Sequence, residues 1–524
     1  MVKGHVVMGL LFFPRGGSAQ VARYVSTALV RADWSVELVT GSLGVAGEET
    51  HAPTFFAGTP VQHLDYADAV EVFAAGGSAI AAPVPMHPSY EDRLNAPDVL
   101  FAAVPPELAG HLSSVWEAPF RTAGADGAHV FHLHHLTPQH DALRRCWPRG
   151  AVVTHLHGTE IKFLEGVNER AALARSVGTT LADMPEWRRA NPGGCAKLGG
   201  PESELLRTTR WEQWRHGEAW HARLLAQAQA ADHLVVVSPT DRSTAVELLR
   251  VDADRVSDVP NGVDVTRFCP RRMSRQERRA HFRRWLVEDP QGWDETATPG
   301  TVAYREPDLD QLLGPEGDAI VLIFVGRFTS AKRVPLLVRA FARAWPCFNR
   351  SASLLIWGGH PGEWEGEHPV TVARGIGAHG VYFAGWRGHD DLPQALAACD
   401  ALVMPSVDDS YSQAALEAMA VGLPVIATDS GGFPYMVNLD PARPTGWLVS
   451  PDDERALSEM LVDVVNGPQE ISRRGDAALA HARAHLSWAS RVDGFEEAYA
   501  RARDRRGRRC FGVAGTGDRL NRAP

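Results

Sequence analysis

The sequence predicts an α/β protein made of two doubly wound, parallel-sheet domains. Three observations point there. The 524-residue chain is too long for one ordinary core, so two domains of about 200 residues are expected. Two series of apolar, strand-like runs alternate with helical patterns, one beginning near residue 5 and the other at residue 320. Each series opens with a strand that runs into a glycine turn, at Gly16-Gly17 and at Gly326. That order is a βαβ unit, which implies a parallel sheet with ligands at the strand C-terminal ends.

Residues 5–13 are apolar without alternation, as in a strand buried on both faces. Residues 19–31 carry Val21, Val25, Ala28 and Leu29 at helical spacing, and residues 35–40 (SVELVT) form the second strand. Further strands are expected at 129–133, 151–155 and 233–237. The second series predicts a strand at 320–325, a helix at 334–344, and strands at 353–357, 381–383, 401–404 and 425–428. Between the series lies a polar joint rich in Arg, Asp and Gly. Residues 44–127 and 164–223, the latter with Trp–Arg clusters such as RTTRWEQWRH, are longer than connections need. Loops of that size on the first domain are candidates for reading a second substrate. The Arg-rich end of the chain, 503–524, is expected to be disordered.

Bulk properties narrow the function. An apolar fraction of 44% with 22% charged residues fits a soluble globular chain. The net charge of −10 is spread along the sequence, and no long basic block points to nucleic acid or anionic lipid. The longest apolar run near the start is too short to span a bilayer. A signal peptide fits poorly there, because a glycine turn and an amphipathic helix follow at once. The six cysteines show neither metal nor redox spacing, so a reduced cytoplasm is expected.

Chemistry concentrates in a few places. Gly16 and Gly17 sit where a backbone can approach an anion at a helix start, although a plain tight turn explains them equally well. The GxGxxG spacing of a dinucleotide site is lacking, which ranks a dehydrogenase low. Arg327, with Lys332 and Arg333 beyond it, follows the strand ending at Gly326. Cations at a strand end beside a helix N-terminus suit a diphosphate. Asp409 and Glu417 stand eight positions apart, one before a helix and one inside it, around the small-residue turn Ser410-Tyr411-Ser412. Glu417 lies in an otherwise small and apolar run, where an unpaired carboxylate would cost several kcal/mol, so a ligand hydroxyl or a cation is expected to meet it. Paired carboxylates also suit glycosidase acid–base work, but amide donors between them favour binding. His132, His134, His135, His155 and His157 cluster around two strand ends, and zinc is the alternative there, without a Cys or carboxylate to complete a known pattern. Asp252-Ala253-Asp254 and Asp308-Leu309-Asp310 read as solvated loop acids rather than metal motifs.

With these residues in view, the chain resembles family 4 of the glycosyltransferases, the retaining enzymes of GT-B fold. The resemblance is patchy over the first βαβ unit and good over residues 230–268 and 318–502. Gly16-Gly17 resembles the family's N-terminal glycine turn, and His157-Gly158 its loop near the donor sugar. Val259-Pro260-Asn261-Gly262-Val263-Asp264 is similar to the segment closing the first domain. Arg327 and Lys332 match the diphosphate-holding pair, and Asp409 and Glu417 fall on the two acids of the E-x7-E motif. Ser487-Trp488 and Tyr499 resemble the closing helix that returns to the first domain. Three positions depart from the pattern: Asp409 stands for the first Glu, Ser412 for a Gly, and Tyr435 for a Glu.

The resemblance implies two Rossmann-like domains facing across a cleft: 1–266 for the acceptor, a linker at 267–317, 318–485 for the donor, and a closing helix at 486–502. It implies a cytoplasmic hexosyltransferase that takes sugar from a UDP- or GDP-sugar with retention and with no cofactor or metal. Arg327 and Lys332 would stabilise the departing diphosphate, Glu417 would bind ribose, and Asp409 with the amides of Tyr411, Ser412 and Gln413 would hold the sugar. His157 would line the sugar pocket, Arg387 would lie near the base, and Gly16 and Gly17 near the donor. Acceptor contacts are expected from His87, Tyr90, Glu91 and Arg93, with Gly17 beside them. A sugar-nucleotide epimerase, or a non-catalytic sugar-nucleotide binder, shares these features.

Overall fold

The computed structural model describes residues 2–93, 96–194, 199–407, 409–438 and 440–514. The chain divides into two compact units, one running to Pro260 and resuming at Arg491, the other Asn261–Ser490.

In the first unit the described strands are β1 (Gly4–Leu10), β2 (Trp34–Ser42), β3 (Val61–Asp65), β4 (Val130–His134), β5 (Val152–His155), β6 (His233–Val236) and β7 (Val256–Asp258). They pair in parallel in the order β3-β2-β1-β4-β5-β6-β7. The order reverses between β1 and β4, the switch point at which open parallel sheets bind ligands. Helix Gly17–Arg31 starts just beyond β1 and buries Val21, Val25 and Leu29, the stripe expected from the sequence.

The second unit repeats the plan. Its described strands are β8 (Ile320–Gly326), β9 (Ala352–Gly358), β10 (Val381–Gly385), β11 (Ala401–Met404), β12 (Val425–Thr428) and β13 (Gly446–Val449). They pair in parallel as β10-β9-β8-β11-β12-β13, so the switch point falls between β8 and β11.

Three expectations are corrected. The stretches 44–127 and 164–223 are not open loops but helices and a strand pinned to the core by large side chains: Tyr66, Phe101, Trp116, Phe120, Trp211, Trp214 and Trp220 are all buried. The guanidinium of Arg170 lies 3.9 Å over the Trp214 ring, and Trp220 Nε1 donates to Val104 O at 2.8 Å, so the Trp–Arg pattern marks packing. Residues 94, 95 and 195–198 lie outside the described residues.

Residues 267–317 are not a bare joint but part of the second unit. Helices Arg275–Arg283 and Glu306–Leu313 form there, Phe282, Trp285 and Trp293 are buried, and Arg278 bonds Asp400 at 2.7 Å. Their polar composition belongs to exposed faces. Of the loop acids, Asp308 accepts from Arg305 N at 2.7 Å at a helix start, Asp310 pairs with Arg279, and Asp254 pairs with Arg505.

The closing helix spans Val492–Ala514 and runs well beyond residue 502. Arg505, Arg506 and Arg509, expected to be disordered, are tied to acids of the first unit: Arg506 lies 2.8 Å from the fully buried Asp232, and Arg509 3.6 Å from it. Residues 515–524 of the expected tail lie outside the described residues.

Candidate functional site

In the second unit the site is built from the loops leaving β8 and β11, and Val407 N donates to Ala331 O at 2.8 Å to hold them together. After β8, Phe328 turns inward against Trp293, at 5.5 Å between rings, while Arg327 lies exposed. Arg333 adopts φ of +52°, an uncommon left-handed conformation held in place by Asp452 and by a 2.7 Å bond to Ser330 O. That turn presents Lys332, whose Nζ donates to Asp409 Oδ2 at 2.5 Å. The pair is partly open, with side chains 22% and 15% exposed. An ammonium has three donors, so Lys332 can keep Asp409 and still reach a phosphate oxygen.

The loop carrying Asp409 rests on the double glycine after β12. Gly432 N donates to Asp409 O at 2.7 Å. A Cβ on Gly431 would come within 2.4 Å of Asp409 O, one on Gly432 within 2.0 Å of Ser410 O, and Gly431 has φ of +58°. Only glycines admit so close an approach. Ser412 then caps helix Gln413–Val421, its hydroxyl accepting from Ala415 N. The helix start brings backbone donors and its positive dipole end to the switch point. The side chains of Tyr411 and Ser412 are buried, so any ligand contact there falls to their backbone. Asn261 Nδ2 donates to Tyr411 O at 3.2 Å and Gln413 Nε2 to Gly262 O at 3.3 Å, which fixes this loop from the side.

Glu417 is buried but has a protein partner: its Oε1 lies 2.8 Å from His389 Nε2. The sequence alone does not distinguish His389 from other loop histidines. Its signal, a histidine in the loop after β10, acquires meaning only through a contact 28 positions away in sequence. Arg387 is placed differently from the expectation of a base contact. It is buried, bonding Asp289 Oδ2 at 3.1 Å and Trp285 O at 2.8 Å, and burial lowers its pKa. Its guanidinium anchors residues 285–289.

The remaining expected residues belong to the first unit, around the β1/β4 switch point. A Cβ on Gly16 or Gly17 would meet nothing within 4 Å, so internal packing does not impose either glycine. His87 is buried, 4.9 Å from Phe12 between ring centres, and burial holds its pKa low. Tyr90 donates to Leu136 O from a buried position. Glu91 and Arg93 pair at 3.1 Å, and Arg93 also holds the buried Asp98 at 2.7 Å. The His87 and Tyr90 side chains are thus core groups, whereas Glu91 and Arg93 remain partly exposed. His157 shares a 2.9 Å hydrogen bond with His134, and burial, then the neighbouring histidines, keep it neutral. Glu160 accepts from His157 N at 2.9 Å and pairs with His135 at 3.1 Å. Burial alone would raise the Glu160 pKa, yet His135 and the hydrogen bonds bring it below the usual value.

Two Rossmann-like units, one with a cation–carboxylate pair and a helix start at its switch point, define an α/β protein of the class that shares its fold with GT-B glycosyltransferases. Residues 319–466 match the model of the family described as glycosyl transferases group 1. A D-inositol 3-phosphate glycosyltransferase of Streptomyces coelicolor is 29% identical over 291 residues, 54% of this chain and 58% of that protein. The chain thus spans little more than half the length of such curated relatives. Among solved structures, sucrose-phosphate synthase of Thermosynechococcus elongatus matches with a TM-score of 0.60 at 17% identity, covering 95% of this chain and 98% of that one. The Anabaena protein Alr3699/HepE, solved with UDP-glucose, matches with a TM-score of 0.56 at 14% identity, covering 95% and 99%. At these identities the structural matches establish the fold. No helix among the described residues is long and apolar enough to cross a membrane.

Proposed function

We propose that the protein transfers a hexose-type sugar from a UDP- or GDP-sugar to a hydroxyl acceptor, with retention at the anomeric carbon. The observation that carries this reading is the Lys332–Asp409 pair at the β8/β11 switch point, beside the start of helix Gln413–Val421. An exposed cation on the loop, Arg327, and an ammonium with spare donors suit a diphosphate that gains negative charge as the sugar departs. The acceptor oxygen bonds to the anomeric carbon on the face from which the diphosphate leaves. The C–O electron pair goes to the diphosphate, and the acceptor's proton follows to a phosphate oxygen. This route needs no protein nucleophile and calls for no metal at the diphosphate. Asp409 takes sugar hydroxyls, and Glu417, aligned by His389, takes the ribose. The solved HepE complex supports a UDP-sugar as the first donor to try. The inositol-phosphate relatives support a phosphorylated polyol as the first acceptor class.

Lys332→Ala is expected to lower kcat by about 100-fold or more while the far-UV spectrum stays unchanged. Near-normal transfer by that variant would remove the diphosphate assignment. Donor incubated alone should be hydrolysed slowly and never epimerised.

A further inference from the structure

The first unit contains a second cluster of chemically active groups, remote in chemistry from the diphosphate site. His132 and His134 project from the same face of β4, and His155 sits opposite His134 on β5. All three are fully buried, and one ring nitrogen from each lies within 4.8 Å of the others. We propose that His132, His134 and His155 form a site for a divalent transition metal of the zinc class.

The hydrogen bonds sort the ring nitrogens as a metal site requires. His132 uses Nδ1 on Tyr499 Oη at 2.7 Å, and His134 uses Nδ1 on His157 Nε2 at 2.9 Å. In both rings the other nitrogen, Nε2, is buried and has no partner among the described residues; the same holds for both nitrogens of His155. A histidine that ligates a metal through one nitrogen commonly has the other fixed by a hydrogen bond, which sets tautomer and ring direction. Tyr499 and His157 stand in those supporting positions. The closing helix covers the cluster with Phe495, whose ring centre lies 5.5 Å from those of His132 and His155, a dry wall of the kind that strengthens metal–ligand bonds.

Without an ion the arrangement is costly. Each buried, unpaired polar group costs about 1–3 kcal/mol, and apolar side chains would fill the same space without that cost. Three imidazoles and no carboxylate suit zinc, cobalt(II), nickel(II) or copper(II) rather than magnesium or calcium. The His132 and His134 rings lie within 12° of parallel and His155 is tilted 31° and 32° from them, and metal–nitrogen bonds of about 2.0 Å put ligand nitrogens no more than about 4 Å apart, so on binding the rings must turn toward a common point as well as close by roughly 1 Å. Such a site would clamp β4 to β5.

The test uses the full chain without an affinity tag, produced with zinc in the medium and freed of loose metal by gel filtration. Elemental analysis is expected to find about one zinc per chain, and the metal-stripped protein titrated with cobalt(II) should develop visible ligand-field bands. The melting temperature should rise with zinc and not with magnesium. His134→Gln should lower metal content at least about tenfold. His485→Ala, on the exposed end of helix Pro468–His485, removes a surface histidine whose ring lies 5.1 Å from that of His481 and should change nothing. If His134→Gln fails to give a cooperative melt, His155→Gln reads the same site. Wild type retaining below about 0.1 zinc per chain, or metal lost from His485→Ala but kept by the His134 variant, would overturn the proposal and leave a neutral histidine stack.

Discussion

Glu417 is held by the imidazole of His389. Glu417 lies in a run of buried residues, Ala415, Leu416, Ala418 and Met419, and His389 Nε2 at 2.8 Å is the partner that offsets the cost of burying its carboxyl group. His389 in turn is positioned by its own backbone, whose carbonyl accepts from Arg267 at 2.8 Å. Removing the ring should therefore weaken the grip on donor more than the chemical step. His389→Ala is expected to raise the dissociation constant for the matching nucleoside diphosphate by about 10- to 100-fold, with a smaller change in kcat. Calorimetric titration gives the first quantity, and an unchanged affinity would detach Glu417 from donor binding. The contrast with Lys332 and Asp409 shows what a sequence makes legible at this scale. Those two lie in short, ordered motifs, so their residue types and spacing suffice. His389 and Arg387 follow the same strand, but which ring meets Glu417 and which guanidinium turns inward to Trp285 depends on packing that spacing does not encode.

Among elements, the central strands were readable because each is a continuous apolar run buried on both faces, as in β8 and β9. The edge strands β3, β7 and β13 are not legible in the sequence. They are short and only partly buried, so their residues lack both the apolar run and a clean alternation. The end of the closing helix is illegible for another reason: its C-terminal arginines resemble a solvated tail because the acid that Arg506 meets lies 274 residues earlier. Asp232 is fully buried, accepts from Val152 N at 2.9 Å, and is neutralised by Arg144 at 3.3 Å as well as by Arg506. Arg506→Ala should cost about 1–3 kcal/mol in urea unfolding of the full chain, less than loss of an isolated buried pair because Arg144 remains. Arg503→Ala, exposed on the same helix, should stay within about 0.5 kcal/mol. Equal stability of the two variants would mean that the helix end adds nothing to the first unit.

At the scale of the molecule, each unit carries the same order of its first six strands, 3-2-1-4-5-6, and therefore its own switch point. Topology alone does not say which one takes the nucleotide. The side chains distinguish them. In the second unit the loops after β8 and β11 bring Lys332, Asp409 and a helix start together, whereas Phe12, His87, Tyr90 and His135 gather in the first. The second arrangement offers charge and backbone donors to a diphosphate, while the first offers aromatic surface and histidines. Hydrogen exchange on the full chain can separate the two, because a bound ligand slows local opening of the loops it contacts. UDP, GDP and dTDP at about 100 times their dissociation constants each add about 2.7 kcal/mol to the state that binds them. The matching nucleotide should protect peptides covering residues 326–333, 387–390 and 409–417, and leave those covering residues 12–18 and 133–137 little changed. Protection of the first-unit peptides alone would move the nucleotide to the other switch point and reverse the roles assigned to the two units.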